Sequence, residues 1–186
     1  MDFKKRPVIL AISNPKVFEK FLESEMECCV LMNMHLGLVE DLIHQAHINH
    51  KLVFLHLDLL KGIASDEAGC EYVCQRLLAD GIISTKAKVV ETAKRMKKIA
   101  ILRMFLIDSM SLKKGIHMIE EVKPDYVEVL PGIACEIIPK LIEKTSAKFF
   151  CGGLISNAEQ IGKCIDAGAV AVTISDAEVA KEYRYE

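Results

Sequence analysis

The chain has 186 residues, 51% of them hydrophobic and 27% charged, with 24 basic against 26 acidic side chains for a net charge of −2. That composition excludes wholesale disorder and supplies one sizeable core, which predicts one domain over residues 1–186. No apolar run reaches the ~18 residues of a membrane span. The stretch after Lys4-Lys5-Arg6 is too short for a signal-peptide core, so a cytoplasmic location is expected.

Short apolar runs alternate with stretches of helical periodicity. Val8–Ile12 is followed by Asn14-Pro15, an N-cap with proline at the first helical position, and by an apolar face of Val17, Phe21 and Leu22. Cys28–Met32 precedes Leu38, Leu42 and Ile43, and Leu52–Leu57 precedes Tyr72, Val73, Leu77 and Leu78. Gly81–Ser84 leads to Val89, Ala93 and Met96, and Ile99–Leu106 leads to Leu112, Ile116 and Ile119. Pro124 and Asp125 close that helix and open Tyr126–Leu130, which is followed by Ile138, Leu141 and Ile142. Lys148–Cys151 precedes a helix started by Ser156-Asn157 and carried by Ile161 and Ile165; Ala169–Ile174 precedes a short charged helix over 176–185. Runs this short and this β-branched suit parallel strands buried on both faces.

Eight strands, each followed by a helix, predict an α/β fold, a compact (β/α)8 TIM-type barrel, with an open doubly wound sheet as the alternative. At about 23 residues per unit the barrel is stripped down against the ~250 residues of a typical one. The seven cysteines form no CxxC pair and read as reduced interior side chains. Cys70 and Cys74 share a helix face but have no further ligand nearby, so no metal is expected.

In such a barrel the working residues lie at the C-terminal strand ends. Those positions carry Asn33-Met34-His35, His56-Leu57-Asp58 with Lys61, Ser84-Thr85-Lys86, Arg103, Glu128 with Pro131-Gly132, Gly152-Gly153, and Thr173 with Ser175. Alternation turns Ile101, Arg103 and Phe105 inward, along with Phe54, His56, Asp58 and Glu128. One cation between two carboxylates reads either as an Arg–Glu–Asp ion network or as acid–base chemistry by Asp58 and Glu128, the network being the commoner arrangement. Gly152-Gly153, leading into the seventh helix, and Thr173-Ile174-Ser175 after strand eight match the usual phosphate site of such barrels, and Lys61 or Lys86 would add charge opposite.

The segments HLDLLKG (56–62), GIIST (81–85), RMFLIDS (103–109), KPDYVEVLPGI (123–133), CGGLI (151–155) and DAGAVAVTIS (166–175) resemble the glycerol-3-phosphate-responsive antiterminator family, in order and through nearly the whole chain. The resemblance implies a small barrel that binds glycerol 3-phosphate as its effector, uses no cofactor, and acts on leader mRNA of glycerol operons to prevent premature termination. It further implies a ligand pocket of His56, Asp58, Lys61, Arg103, Glu128, Gly132, Gly152, Gly153 and Ser175, with no catalytic residue. Two features depart from the family pattern. Pro139 comes late, which puts the start of the sixth helix near Ile138, and Lys86-Ala87-Lys88 is unusually basic.

The near-neutral chain lacks the basic excess common in nucleic-acid binders. One segment differs: Lys86, Lys88, Lys94, Arg95, Lys97 and Lys98 have Glu91 as their only acidic neighbour between them. With Val89, Ala93 and Met96 facing the barrel, Lys88, Lys94, Arg95 and Lys98 form an outer stripe that could track RNA phosphates, or simply a solvated face. A homodimer stays open as the way to lengthen that stripe. Two further readings stand beside the regulator: an isomerase or lyase of a phosphorylated metabolite, with Asp58 or Glu128 as base and Lys61 as electrophile, and a phosphate-ligand sensor acting through a protein partner.

Overall fold

A computed structural model describes residues 3 and 6–183. Eight parallel strands close on themselves in chain order: β1 Val8–Ile12, β2 Cys28–Leu31, β3 Leu52–His56, β4 Gly81–Ser84, β5 Ile99–Phe105, β6 Tyr126–Leu130, β7 Phe149–Gly152 and β8 Ala171–Ile174. Pairing of Val8 with Val172 and Ile9 with Thr173 joins the last strand to the first, so the barrel is closed and the open sheet is excluded. Eight helices alternate with the strands: α1 Pro15–Glu23, α2 Leu36–Ile48, α3 Glu67–Gln75, α4 Ala87–Arg95, α5 Ser109–Val122, α6 Ile138–Lys144, α7 Ala158–Asp166 and α8 Ala177–Glu182.

The helix starts follow local chemistry. Asn14 Oδ1 accepts from Val17 N, and Asn157 Oδ1 accepts from Gln160 N, each satisfying an amide that has no partner inside its helix. Helix α6 begins at Ile138, where the late proline can sit in the first turn, and a 3-10 stretch over Gly132–Ile137 fills the space before it. Leu77 and Leu78 lie past the end of α3, and Leu78 is largely exposed, so the third helix is shorter than its apolar pattern suggests. Helix α8 starts after its cap Asp176; the part of the eighth-helix expectation that falls on 184–185 lies outside the described residues.

Strand alternation sorts the apolar side chains into two cores. One lies between strands and helices and includes Leu10, Leu31, Leu55, Leu102 and Val127. The other fills the barrel: Ile9, Val30, Phe54, Ile83, Ile101, Phe150 and Ala171, with Phe3 packed edge-on against Tyr126 and Phe150 at the lower end. One step up, five of the strands bring a polar side chain or a glycine to the interior. Phe54 is followed by His56, Ile101 by Arg103, Tyr126 by Glu128, Phe150 by Gly152 and Ala171 by Thr173. All seven cysteines are buried free thiols, and among the described residues no cluster of His, Cys, Asp or Glu could hold a metal ion. No described helix is long and apolar enough to cross a membrane.

Candidate ligand site in the barrel mouth

Arg103 and Glu128 sit opposite each other in the β5–β6 register, and Arg103 Nε donates to Glu128 Oε2 at 2.6 Å. The other oxygen, Oε1, accepts from the Thr173 hydroxyl at 2.5 Å. Glu128 is fully buried, so both oxygens need partners, and both have one. Glu128, steadied by Thr173, therefore holds the guanidinium at Nε. Among the described residues its two terminal nitrogens have no protein acceptor, and the Arg103 side chain keeps 11% exposure toward the mouth. Gly152 is what makes room: a Cβ there would sit 2.2 Å from Thr173 Oγ1 and 2.8 Å from Glu128 Oε1.

Asp58 does not join this network. Strand β3 ends at His56, and Asp58 lies in a 3-10 turn over Leu57–Leu59, which carries its carboxylate toward β4. Oδ1 accepts from the hydroxyls of Ser65 at 2.5 Å and Ser84 at 2.6 Å; Oδ2 accepts from Thr85 N at 2.7 Å and Thr85 Oγ1 at 2.9 Å. Burial pushes its pKa up, but these hydrogen bonds outweigh burial and hold it below the usual carboxylate value. The expected Arg–Glu–Asp network is thus an Arg–Glu–Thr group plus a separate Asp58 latch between two loops. Phe105, expected to point inward, is 51% exposed at the last residue of β5.

His56 does face the interior, 2% exposed, and neither ring nitrogen has a partner. Burial first, then the charge on Arg103, lower its pKa from 6.5 to about 4, so the ring is neutral at physiological pH.

The glycines after β6 and β7 hold the two loops together, with Gly132 N donating to Gly153 O at 3.0 Å. Gly153 has φ +78 and Leu154 φ 59, a left-handed pair that turns the chain over the mouth. Helix α7 does not follow directly; it starts only at Ala158, and its N-terminus is already capped by Asn157. Helix α8 is likewise capped by Asp176, a carboxylate beside the exposed Ser175. Anion binding here would rest on loop amides rather than helix ends. Among the described residues no protein acceptor takes the amides of Gly153 or Ser175.

Lys61 stands at the opposite rim, its backbone laddered to Met34 and Leu36 and its side chain exposed. Lys86 Nζ donates to Ser65 O. Outside the barrel, the α4 stripe is partly engaged. Arg95 bridges Glu71 at 2.9 Å and Glu67 at 3.9 Å, Lys88 pairs with Glu91 at 3.4 Å, and Lys94 Nζ donates to Lys123 O. Lys98 is half-buried.

Sequence alone does not single out Thr173 or Ser65 as parts of these groups. Thr173 stands out in the sequence only as part of the phosphate match after strand eight, with no sign of a bond to Glu128, and Ser65 shows no periodic or motif signal because it reaches Asp58 from a loop.

A family model described as glycerol-3-phosphate responsive antiterminator matches residues 8–179. The crystal structure of a glycerol uptake operon antiterminator regulatory protein from Listeria monocytogenes str. 4b F2365 superposes with a TM-score of 0.92 at 36% identity, covering 96% of this chain and 97% of that one. A glycerol uptake operon antiterminator-related protein from Thermotoga maritima MSB8 follows with a TM-score of 0.82 at 26% identity, over 94% and 97% of the two chains. The uncharacterized protein YgcP of Escherichia coli (strain K12) is 27% identical over 176 residues, 95% of this chain and 92% of its own.

Proposed function

Because the chain belongs to the glycerol-3-phosphate responsive antiterminator family, we propose that its barrel mouth binds glycerol 3-phosphate and that the liganded protein binds leader RNA of glycerol-utilisation transcripts, without turning the ligand over. The observation that carries the ligand half is the guanidinium of Arg103. Glu128 holds it at Nε, Thr173 fixes the other oxygen of that carboxylate, and among the described residues the two terminal nitrogens have no protein acceptor. A fixed, partly desolvated guanidinium is a strong phosphate ligand. The free amides of Gly153 and Ser175 favour the same end of the mouth for the phosphate. In this reading Gly132 and Gly152 are spacers: a Cβ on Gly132 would meet Ile155 at 2.6 Å and Gly152 N at 3.1 Å. Asp58 anchors a loop, and Lys61 supplies charge at the rim.

The regulator is favoured over an isomerase or lyase by what the two carboxylates do. A general base needs free lone pairs and a pKa near the working pH. Asp58 accepts four hydrogen bonds and is held low, and Glu128 is locked to Arg103 and Thr173. Lys61 is exposed at the rim, outside the buried part of the mouth.

Family membership supports the RNA half. The α4 face and the residues just after it supply the candidate cations Lys88, Lys94, Arg95 and Lys98; the exposed ion pairs of Lys88 and Arg95 are worth about 0–1 kcal/mol and can be exchanged for phosphates. Glycerol 3-phosphate is expected to raise the melting temperature and to tighten binding to a glycerol-operon leader fragment at moderate salt. A leader that binds no better than scrambled RNA with ligand present would overturn the regulator.

A further inference from the structure

Among the described residues, one buried side chain keeps polar atoms with no partner, and both atoms are the ring nitrogens of His56. Each unmet buried group costs about 1–3 kcal/mol, so such a ring calls for an explanation. The surroundings show why no protein group meets it. Phe54, two residues back on the same face, is apolar. Both oxygens of Asp58 are taken by Ser65, Ser84 and Thr85, and both oxygens of Glu128 by Arg103 and Thr173. Arg103 has no lone pair to offer. Every anion that could orient the ring is committed elsewhere.

A neutral imidazole carries one N–H and one bare nitrogen. Burial and the Arg103 charge keep this ring neutral, with its pKa near 4. It therefore asks for an acceptor on one side and a donor on the other. A phosphate group is mainly an acceptor and cannot serve the bare nitrogen, whereas a hydroxyl, donor and acceptor at once, serves whichever nitrogen faces it.

We infer that His56 is the specificity-determining residue for the uncharged end of the ligand, one of its ring nitrogens pairing with a ligand hydroxyl while Arg103 and the loop amides take the phosphate. This rests on the reading of the mouth as a glycerol-phosphate site and adds to it: phosphate gives the ligand its anchor, and a hydroxyl at His56 gives it its identity. A polar site that loses its partner hydroxyl is left with unpaired buried groups, which is why such sites reject deoxy analogues strongly.

The test is calorimetric titration of the intact protein with sn-glycerol 3-phosphate and with 1-propyl phosphate, which keeps the phosphate and lacks both hydroxyls. The wild type is expected to prefer glycerol 3-phosphate by at least about 100-fold. His56→Leu is expected to collapse that preference to about tenfold or less while holding propyl phosphate as well as before, and His56→Gln, with one donor and one acceptor, to regain part of it. Should His56→Leu unsettle the barrel, His56→Phe, which refills the ring volume, is measured in its place. A preference that survives in the folded apolar variant overturns the assignment of His56 and leaves the glycerol-phosphate site standing. A wild type that binds neither compound overturns the site itself, and the assignment with it.

Discussion

His56 shows what a single buried titratable ring does to stability. Its pKa in the fold is near 4, against 6.5 for a free side chain. Between those values the unfolded chain binds a proton that the fold refuses, so the stabilisation is complete above pH ~6.5 and is lost as pH falls toward ~4. The gap corresponds to roughly 3 kcal/mol. Asp58 acts lower down: its carboxyl is held below 3.8, so its contribution disappears only once pH drops through that lowered value. Urea-unfolding free energies of the wild type should therefore fall between pH ~6.5 and ~4.5 more steeply than those of His56→Leu. Parallel curves over that window would mean that the ring is not held neutral. The inward placement of His56 is legible in the sequence, since it follows from two-residue alternation after Phe54. Its isolation is not, because that depends on where Asp58 and Glu128 find partners on other strands.

At the scale of elements, the strands are legible to within a residue or two because parallel strands buried on both faces leave continuous apolar runs. The pairing of Arg103 with Glu128 is legible from alternation as well. The turns beyond the strand ends are not. Asp58 leaves the β3 line through a 3-10 turn, and a polar residue after a strand carries no sign of which way the turn will aim it. The basic stripe on α4 looks continuous on a helical wheel, but Glu67 and Glu71 reach it from α3 and the Lys123 carbonyl from the end of α5. Contacts between elements are invisible to a single-helix projection. The β7–β8 pair gives a direct check on how these elements hold the site. Gly152 pairs with Thr173 in register, and a methyl group at 152 would overlap the Thr173 hydroxyl and crowd Glu128. Overpacking of this kind costs about 1–3 kcal/mol. Gly152→Ala should lower Tm by roughly 2–10 °C. It should also weaken glycerol 3-phosphate about tenfold or more, because Thr173 and Glu128 no longer aim Arg103. An unchanged affinity in a destabilised protein would show that Gly152 serves packing alone.

For the whole molecule, the proposed function requires the barrel mouth to communicate with an outer surface, and one chain of bonded groups leads there. His56 borders the mouth; Asp58, two residues on, holds Ser84 and Thr85 at the end of β4; Ser84 Oγ in turn accepts from Lys86 N, the residue that caps α4. A ligand that moves the β3 turn thus pulls on the start of the basic helix. Coupling of this kind is a free energy shared by two sites, so it must act equally in both directions. If glycerol 3-phosphate tightens leader RNA binding by some factor, saturating RNA must tighten glycerol 3-phosphate by the same factor, in the range of about 5–150-fold for ordinary allosteric proteins. Removing hydroxyls from the latch with Ser84→Ala and Thr85→Val leaves Arg103, His56 and the loop amides in place, so ligand affinity without RNA should change only a few-fold. Both coupling factors should then shrink together toward one. Four titrations on each protein check it: RNA with and without ligand, and ligand with and without RNA, in the wild type and again in the double variant. Equal factors that persist undiminished in the double variant would place the communication along another route, whereas unequal factors in the wild type would mean that the two ligands do not report on a single equilibrium.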